Sequence, residues 1–192
     1  MARKFFVPCA FLAAAALAAR ALTLVLITDA QLVEMSDRIV VGTVLTAQAQ
    51  WLDPDGDGVQ SIYTVATFRI DQVVKGTDQP GALLTLHVFG GTIGNRTMTA
   101  PGIPLFQKDE RLLLCLTPKI ATCKYSPVVG AVQGRWTVRA GDDGRDIARR
   151  DFQGASFMSV ASDGTVQEAQ PPESKDQLLA DVVARLQAEM KR

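Results

Sequence analysis

The segment Asp53-Pro54-Asp55-Gly56-Asp57-Gly58 places three carboxylates at alternate positions ahead of a glycine, the first half of an EF-hand calcium loop. Calcium takes hard oxygen ligands, and a tight turn lets alternate side chains converge on one centre. The second half does not follow, because the place of the bidentate glutamate falls on Thr64, inside an alternating strand pattern. Two readings stand: a weak Ca2+ site on Asp53, Asp55 and Asp57, or a solvated hairpin turn whose Asp and Gly residues satisfy local backbone geometry. No other cofactor is expected.

Cys115 and Cys123 flank the turn signal Thr117-Pro118-Lys119. A hairpin there would bring the two cysteines face to face, and an oxidising compartment would close them into a disulfide. The alternative is two independent buried thiols. Zinc is disfavoured, since two cysteines and the single His87 fall short of the four ligands of a structural site. His87 lies in an alternating strand and reads as a strand residue. No Gly-x-Ser-x-Gly elbow, His-Glu-x-x-His pair or phosphate-binding glycine loop is present. No catalytic residue is therefore assigned; a hydrolase would have to use Asp and Glu residues that nothing in the sequence singles out.

Two segments read as candidate binding surfaces. Gly90-Gly91-Thr92-Ile93-Gly94-Asn95-Arg96-Thr97-Met98 is small, polar and flexible, then stiffens at Pro101 and Pro104, as a long loop across one barrel mouth would; the alternative is a mere connection between strands. The second is Arg135, Arg139, Arg145, Arg149 and Arg150. Asp142, Asp143, Asp146 and Asp151 lie among them, which favours a salt-laced hairpin over an anion-binding patch.

The elements that must position these residues are mostly strands. Thr28-Asp29-Ala30-Gln31 has the form of a capping box and predicts a short helix reaching Ser36. Strands follow at 39–45, with a bulge at Gly42, and at 62–71, where the period of two is clearest. Further strands are expected at 83–89, 111–116, 125–132 and 135–139. Leu178, Leu179, Val182, Val183 and Leu186 then recur at helical spacing after a Gln-Pro-Pro-Glu linker, so the chain closes with an amphipathic helix.

Composition narrows the function classes. The 192 residues hold 20 Lys+Arg and 20 Asp+Glu and are 47% hydrophobic, which excludes a disordered chain and argues against a nucleic-acid coat. Arg3 and Lys4, the apolar run 5–17 and Ala19-Arg20-Ala21 read as an export signal over 1–21, with Cys9 inside it. The rival reading is a retained anchor, because 22–27 is also apolar. Cleavage removes three basic residues and no acid, which leaves the remainder mildly acidic. The organisation expected is a signal peptide (1–21), a β domain (22–170) and a linker with its helix (171–192), in a secreted or periplasmic protein.

The runs Leu32-Val33-Glu34-Met35-Ser36-Asp37-Arg38-Ile39-Val40-Val41-Gly42-Thr43-Val44 and 63–76, then Gly90-Gly91, Pro101-Gly102-Ile103-Pro104-Leu105-Phe106 and 110–116, resemble a group of uncharacterised exported bacterial proteins. Their succession is more remotely similar to the OB-type barrel of the netrin-like module and the tissue inhibitors of metalloproteinases. Five or six strands with glycine-marked bends, one helix before them and one after, favour a small closed or partly closed barrel, and the resemblance implies that it is OB-like. The resemblance also implies an exported protein partner, with a metalloprotease as one class. Those inhibitors chelate zinc through an amino-terminal cysteine, whereas the expected mature start here is Leu22-Thr23, so the wedge does not carry over. The expectation is an all-β protein with minor helix, a non-catalytic binding module. An envelope or glycan-associated structural protein and a hydrolase are the alternatives.

Overall fold

The computed structural model describes residues 22–192 apart from 121, 153 and 154; the expected export signal and Cys9 lie outside the described residues. In chain order the elements are β1 (Leu22–Val25), α1 (Asp29–Met35), β2 (Arg38–Leu52), β3 (Ser61–Lys75), β4 (Leu83–Phe89), β5 (Gly91–Ile93), β6 (Arg96–Met98), β7 (Arg111–Leu116), β8 (Arg135–Ala140), β9 (Asp146–Arg149), β10 (Ala155–Val160), β11 (Val166–Ala169), β12 (Gln177–Leu178) and α2 (Leu179–Glu189). The chain is all-β with a minor helical part.

Seven strands form one antiparallel sheet in the order β12-β9-β8-β7-β2-β3-β4. Its centre is covered on both faces, which is why β7 can be five consecutive buried residues, Leu112 to Leu116. Leu112, Leu114 and Leu116 pack with Val40, Val44, Phe68, Leu86 and Phe106 on one side. On the other, Leu113 and Cys115 pack with Trp136 and with the apolar stripes of α1 and α2. The expected closing helix, α2, packs on the sheet face, with Leu179, Val182, Val183 and Leu186 buried. β12 and α2 thus continue the same core beyond the Gln-Pro-Pro-Glu linker. Among the described residues no helix is long and apolar enough to cross a membrane.

α1 starts as its sequence dictates. The Thr28 hydroxyl accepts from the Gln31 N–H while the Gln31 side chain accepts from the Thr28 N–H, the reciprocal capping box. The expected bulge is also present, with the β2–β3 register shifting between Val41 and Gly42. A Cβ at Gly42 would stand 2.1 Å from the Arg69 carbonyl oxygen and 2.6 Å from the Phe68 ring, so only glycine lets the strand bend there.

Among the described residues no sheet closes into a barrel. Along the flank of β4, where a closing strand would pair, the chain instead lays an irregular segment between β7 and β8: the Phe89 N–H donates to the Tyr125 carbonyl at 2.8 Å, and the Tyr63 hydroxyl donates to the Lys124 carbonyl at 2.8 Å. The strand expected over 125–132 is accordingly a loop with one bridge, Leu116 to Val128, and a 3-10 turn over Ala131–Gly134.

The same path corrects the expected disulfide, for both cysteines are free. Val129, not Cys123, meets Cys115, through a Val129 N–H to Cys115 O bond of 2.8 Å. Cys115 points into the helix-covered core, whereas Cys123 lies out on the loop with its thiol on the Ser126 carbonyl. Burial pushes the Cys115 thiol up to about 12.

Two smaller sheets complete the fold. β1 pairs in parallel with β10, which pairs with β11, over a cluster of Val132, Phe152 and Phe157. Gln133 ties this unit on, accepting from the Ile27 N–H and donating to the Val25 carbonyl. β5 and β6 form the other sheet, a hairpin packed against β2 and β3.

Candidate functional site

The segment 90–104 is more ordered than its composition suggested: a β5–β6 hairpin followed by a proline-bounded strap. Gly90 and Gly91 start it at φ +111° and +142°, a backbone that side chains rarely adopt. The Gly90 N–H donates to Ile62 O, and its carbonyl accepts from the Thr64 hydroxyl, both at 2.8 Å. A Cβ on Gly91 would lie 3.0 Å from Ala49 Cβ and 3.1 Å from Thr64 Oγ1, so the hairpin sits directly on its β2–β3 floor. It reverses at Gly94 (φ +59°) and Asn95, and the Thr92 and Thr97 hydroxyls meet across it at 2.9 Å. Asn95, Arg96 and Thr97 are exposed, with the Arg96 guanidinium 5.8 Å from the Trp51 ring centroid.

Beyond the hairpin, Pro101 and Pro104 bound a strap that ends with Phe106 buried in the core. Arg135 holds it. Its guanidinium donates to the Pro104 and Leu105 carbonyls at 3.2 and 3.3 Å, pairs with Glu110 at 2.5 Å, and lies 5.5 Å from the Phe106 ring centroid. A cavity of about 330 Å³ opens beneath the strap, lined by Gly102, Ile103, Pro104, Glu110, Arg135 and Thr137 among others. The two candidate surfaces of the sequence, the 90–104 segment and the arginine cluster, therefore meet at one wall. Glu110 is committed to Arg135 there.

Asp53, Asp55 and Asp57 do converge, with one carboxylate oxygen from each within 4.8 Å of the others. Part of their acceptor capacity is already used. Asp53 accepts the Asp57 and Gly58 N–H groups at 3.1 and 2.9 Å, and Asp57 accepts the Val59 N–H at 2.9 Å. The Lys124 ammonium lies 3.1 Å from Asp55 and 3.2 Å from Asp57, bridging the turn to the loop beside β4. The Val59 N–H and then Lys124 hold the Asp57 carboxyl below its ordinary value, while the two carboxylates raise Lys124. Burial, with Asp55 nearby, raises the Tyr63 phenol. This geometry is that of a turn stapled by its own cation, and calcium would have to compete with Lys124 for Asp55 and Asp57.

Each of the five clustered arginines has a carboxylate partner, but of the aspartates interspersed among them it is Asp143 that pairs with one of the five, and Asp146 pairs with Arg111 instead. Besides Arg135, Arg139 and Arg149 pair with Asp176, Arg145 with Asp143, and Arg150 with Asp29 at 3.5 Å. Arg150 also lies 4.4 Å over the Trp136 ring, and burial lowers its pKa. His87 sits mid-strand in β4 opposite Val65. Sequence reasoning missed Trp51, Glu110 and Lys124, whose roles come from contacts distant in the chain. It also missed the hairpin, although Gly94-Asn95 is a turn signal readable from sequence. Compared with known proteins, the chain matches no family model, and no curated protein and no solved structure shows significant similarity to it.

Proposed function

We propose that this chain is an exported, non-catalytic binding module that holds another exported protein through the 90–104 segment. The observation that carries the reading is the β5–β6 hairpin: its base is fixed by Gly90, Gly91 and Thr64, and its tip offers Asn95, Arg96 and Thr97 to solvent. A rigid base lowers the ordering cost of association, which is what a recognition loop needs. The remote resemblance to metalloproteinase inhibitors makes a protease one partner class, without the zinc-chelating cysteine. An OB-like relationship is supported by strand order alone, since β4-β3-β2-β7-β8 is the order that a five-stranded Greek-key barrel would show if it were opened between its third and fifth strands. The test is a pull-down from the host's exported fraction. One discrete protein, lost when Asn95 and Arg96 are both replaced by alanine, supports the reading. Retention on insoluble cell-wall material favours a structural role instead.

A further inference from the structure

The rim of the seven-stranded sheet is protected in two places and open in a third. β12 is only two residues long, and β4 is bonded at Phe89 to Tyr125; short strands and covering loops are ordinary ways of blunting an edge. β2, however, is central only over Arg38 to Thr43, where β7 pairs with it. Val44 still bonds Asp109 and Glu110, but from Thr46 to Leu52 the strand has β3 on one side and no strand on the other. β5 does not fill that gap, because Gly91 lies over the Ala49 side chain, on the face of the sheet rather than its edge.

Ile62 turns its carbonyl toward β4 to accept the Gly90 N–H. The alternation of an antiparallel ladder then leaves its partner Trp51, and likewise Ala49 and Ala47, with N–H and C=O pointing away from β3. Among the described residues nothing bonds to these groups. Residues 39–52 contain no charge and no proline, and Thr46, Gln48 and Gln50 stand exposed along the open stretch. The devices that keep an edge solitary are missing here.

The order of residues along the edge says what fits it. Thr46-Ala47-Gln48-Ala49-Gln50 reads almost the same in reverse about Gln48, so an antiparallel copy matches it residue for residue. Ala47 would face Ala49 of the second copy with their outward backbone groups in register, Thr46 would face Gln50, and Gln48 would face itself. No like charges oppose one another. We propose that the chain forms a two-fold symmetric dimer by antiparallel pairing of the β2 edges of two copies about Gln48, joining their sheets into one. Gln48 projects to the face opposite Ala49 and the β5–β6 hairpin, so dimerisation and capture of a partner by 90–104 are separate properties.

Sedimentation velocity and light scattering of the purified protein test this. The wild type should run at twice the chain mass. Gln48→Lys sets two ammonium groups against each other and should give monomers with unchanged circular dichroism, as should Gln48→Glu with two carboxylates; mixing the two variants should restore the dimer. Across a dyad the Gln48 Cβ atoms would stand about 4.5–5.5 Å apart. Gln48→Cys in a Cys123→Ser background should therefore cross-link under oxidation, whereas Thr46→Cys should not. A wild type that stays monomeric at every concentration, or a dimer that persists in both charged variants, overturns the proposal.

Discussion

Replacing Arg135 with methionine keeps the length and apolar stem of the side chain but removes the cation that fastens the strap. Three sets of contacts go together: the Glu110 carboxylate, the Pro104 and Leu105 carbonyls, and the face of Phe106. The ion pair is neither fully exposed nor fully buried, at 10% and 19% side-chain exposure. An exposed pair contributes about 0–1 kcal/mol, whereas breaking a buried one costs about 3–5 kcal/mol. The cavity lets water reach Glu110 in part, so the loss should fall between those limits, at about 2–4 kcal/mol. For a chain of this size that lowers the melting temperature by roughly 5–15 °C. Urea denaturation measures it, and a double-mutant cycle with Glu110→Gln should return a coupling of about 1–3 kcal/mol. Amides of 101–106 should lose hydrogen-exchange protection at the same time. A variant within about 0.5 kcal/mol of wild type, or strictly additive with Glu110→Gln, would refute the role given to Arg135.

Gly42→Ala should destabilise by about 3 kcal/mol, the upper end for overpacking, because the added methyl meets a backbone carbonyl that cannot step aside; urea midpoints measure this. Thr28→Ala removes one half of the capping box and should cost about 1 kcal/mol by the same assay. In protein lacking residues 1–21, a thiol reagent at neutral pH should label Cys123 alone, with Cys115 reacting only on unfolding; two unreactive thiols that appear on reduction would restore the disulfide. Asp57 should titrate below 3.8 by carboxyl NMR, and Lys124→Met should raise it only partway because the Val59 N–H is the larger cause. A carboxyl whose pKa is lowered by folding stabilises the turn above its unfolded pKa and loses that contribution as pH falls through the folded value, so the β2–β3 turn should loosen only in acid.

Local physics was legible in the residues, and long-range register was not. The Thr28–Gln31 box, the alternation of β3 and the bulge at Gly42 depend on neighbours within a few positions or on one strand's own period, and all three formed where the pattern put them. Cys115 and Cys123 were misread because a turn signal between two cysteines does not fix the register around it. Beyond β7 the chain reaches β4 at Tyr125, then pairs back through Pro127 to Thr117 and Val128 to Leu116. Closure failed for the same reason, since the flank of β4 is met by Tyr125 rather than by a strand. β10 and β11 are short strands whose pairing depends on β1 and the Phe152–Phe157 cluster, which no local pattern announces. At the candidate site, the turn carboxylates were visible but the cation that satisfies two of them, Lys124, lies 67 residues beyond Asp57.

The recognition role of the 90–104 hairpin is tested most directly by measuring binding of the captured partner to wild-type protein and to the Asn95→Ala, Arg96→Ala double variant, by calorimetry at matched fold content. The substituted side chains lie at the exposed tip, clear of Gly90, Gly91 and Thr64, so the variant should fold as the wild type does while its affinity falls at least tenfold, a loss of about 1.4 kcal/mol or more. Equal affinity in the two proteins would contradict the account.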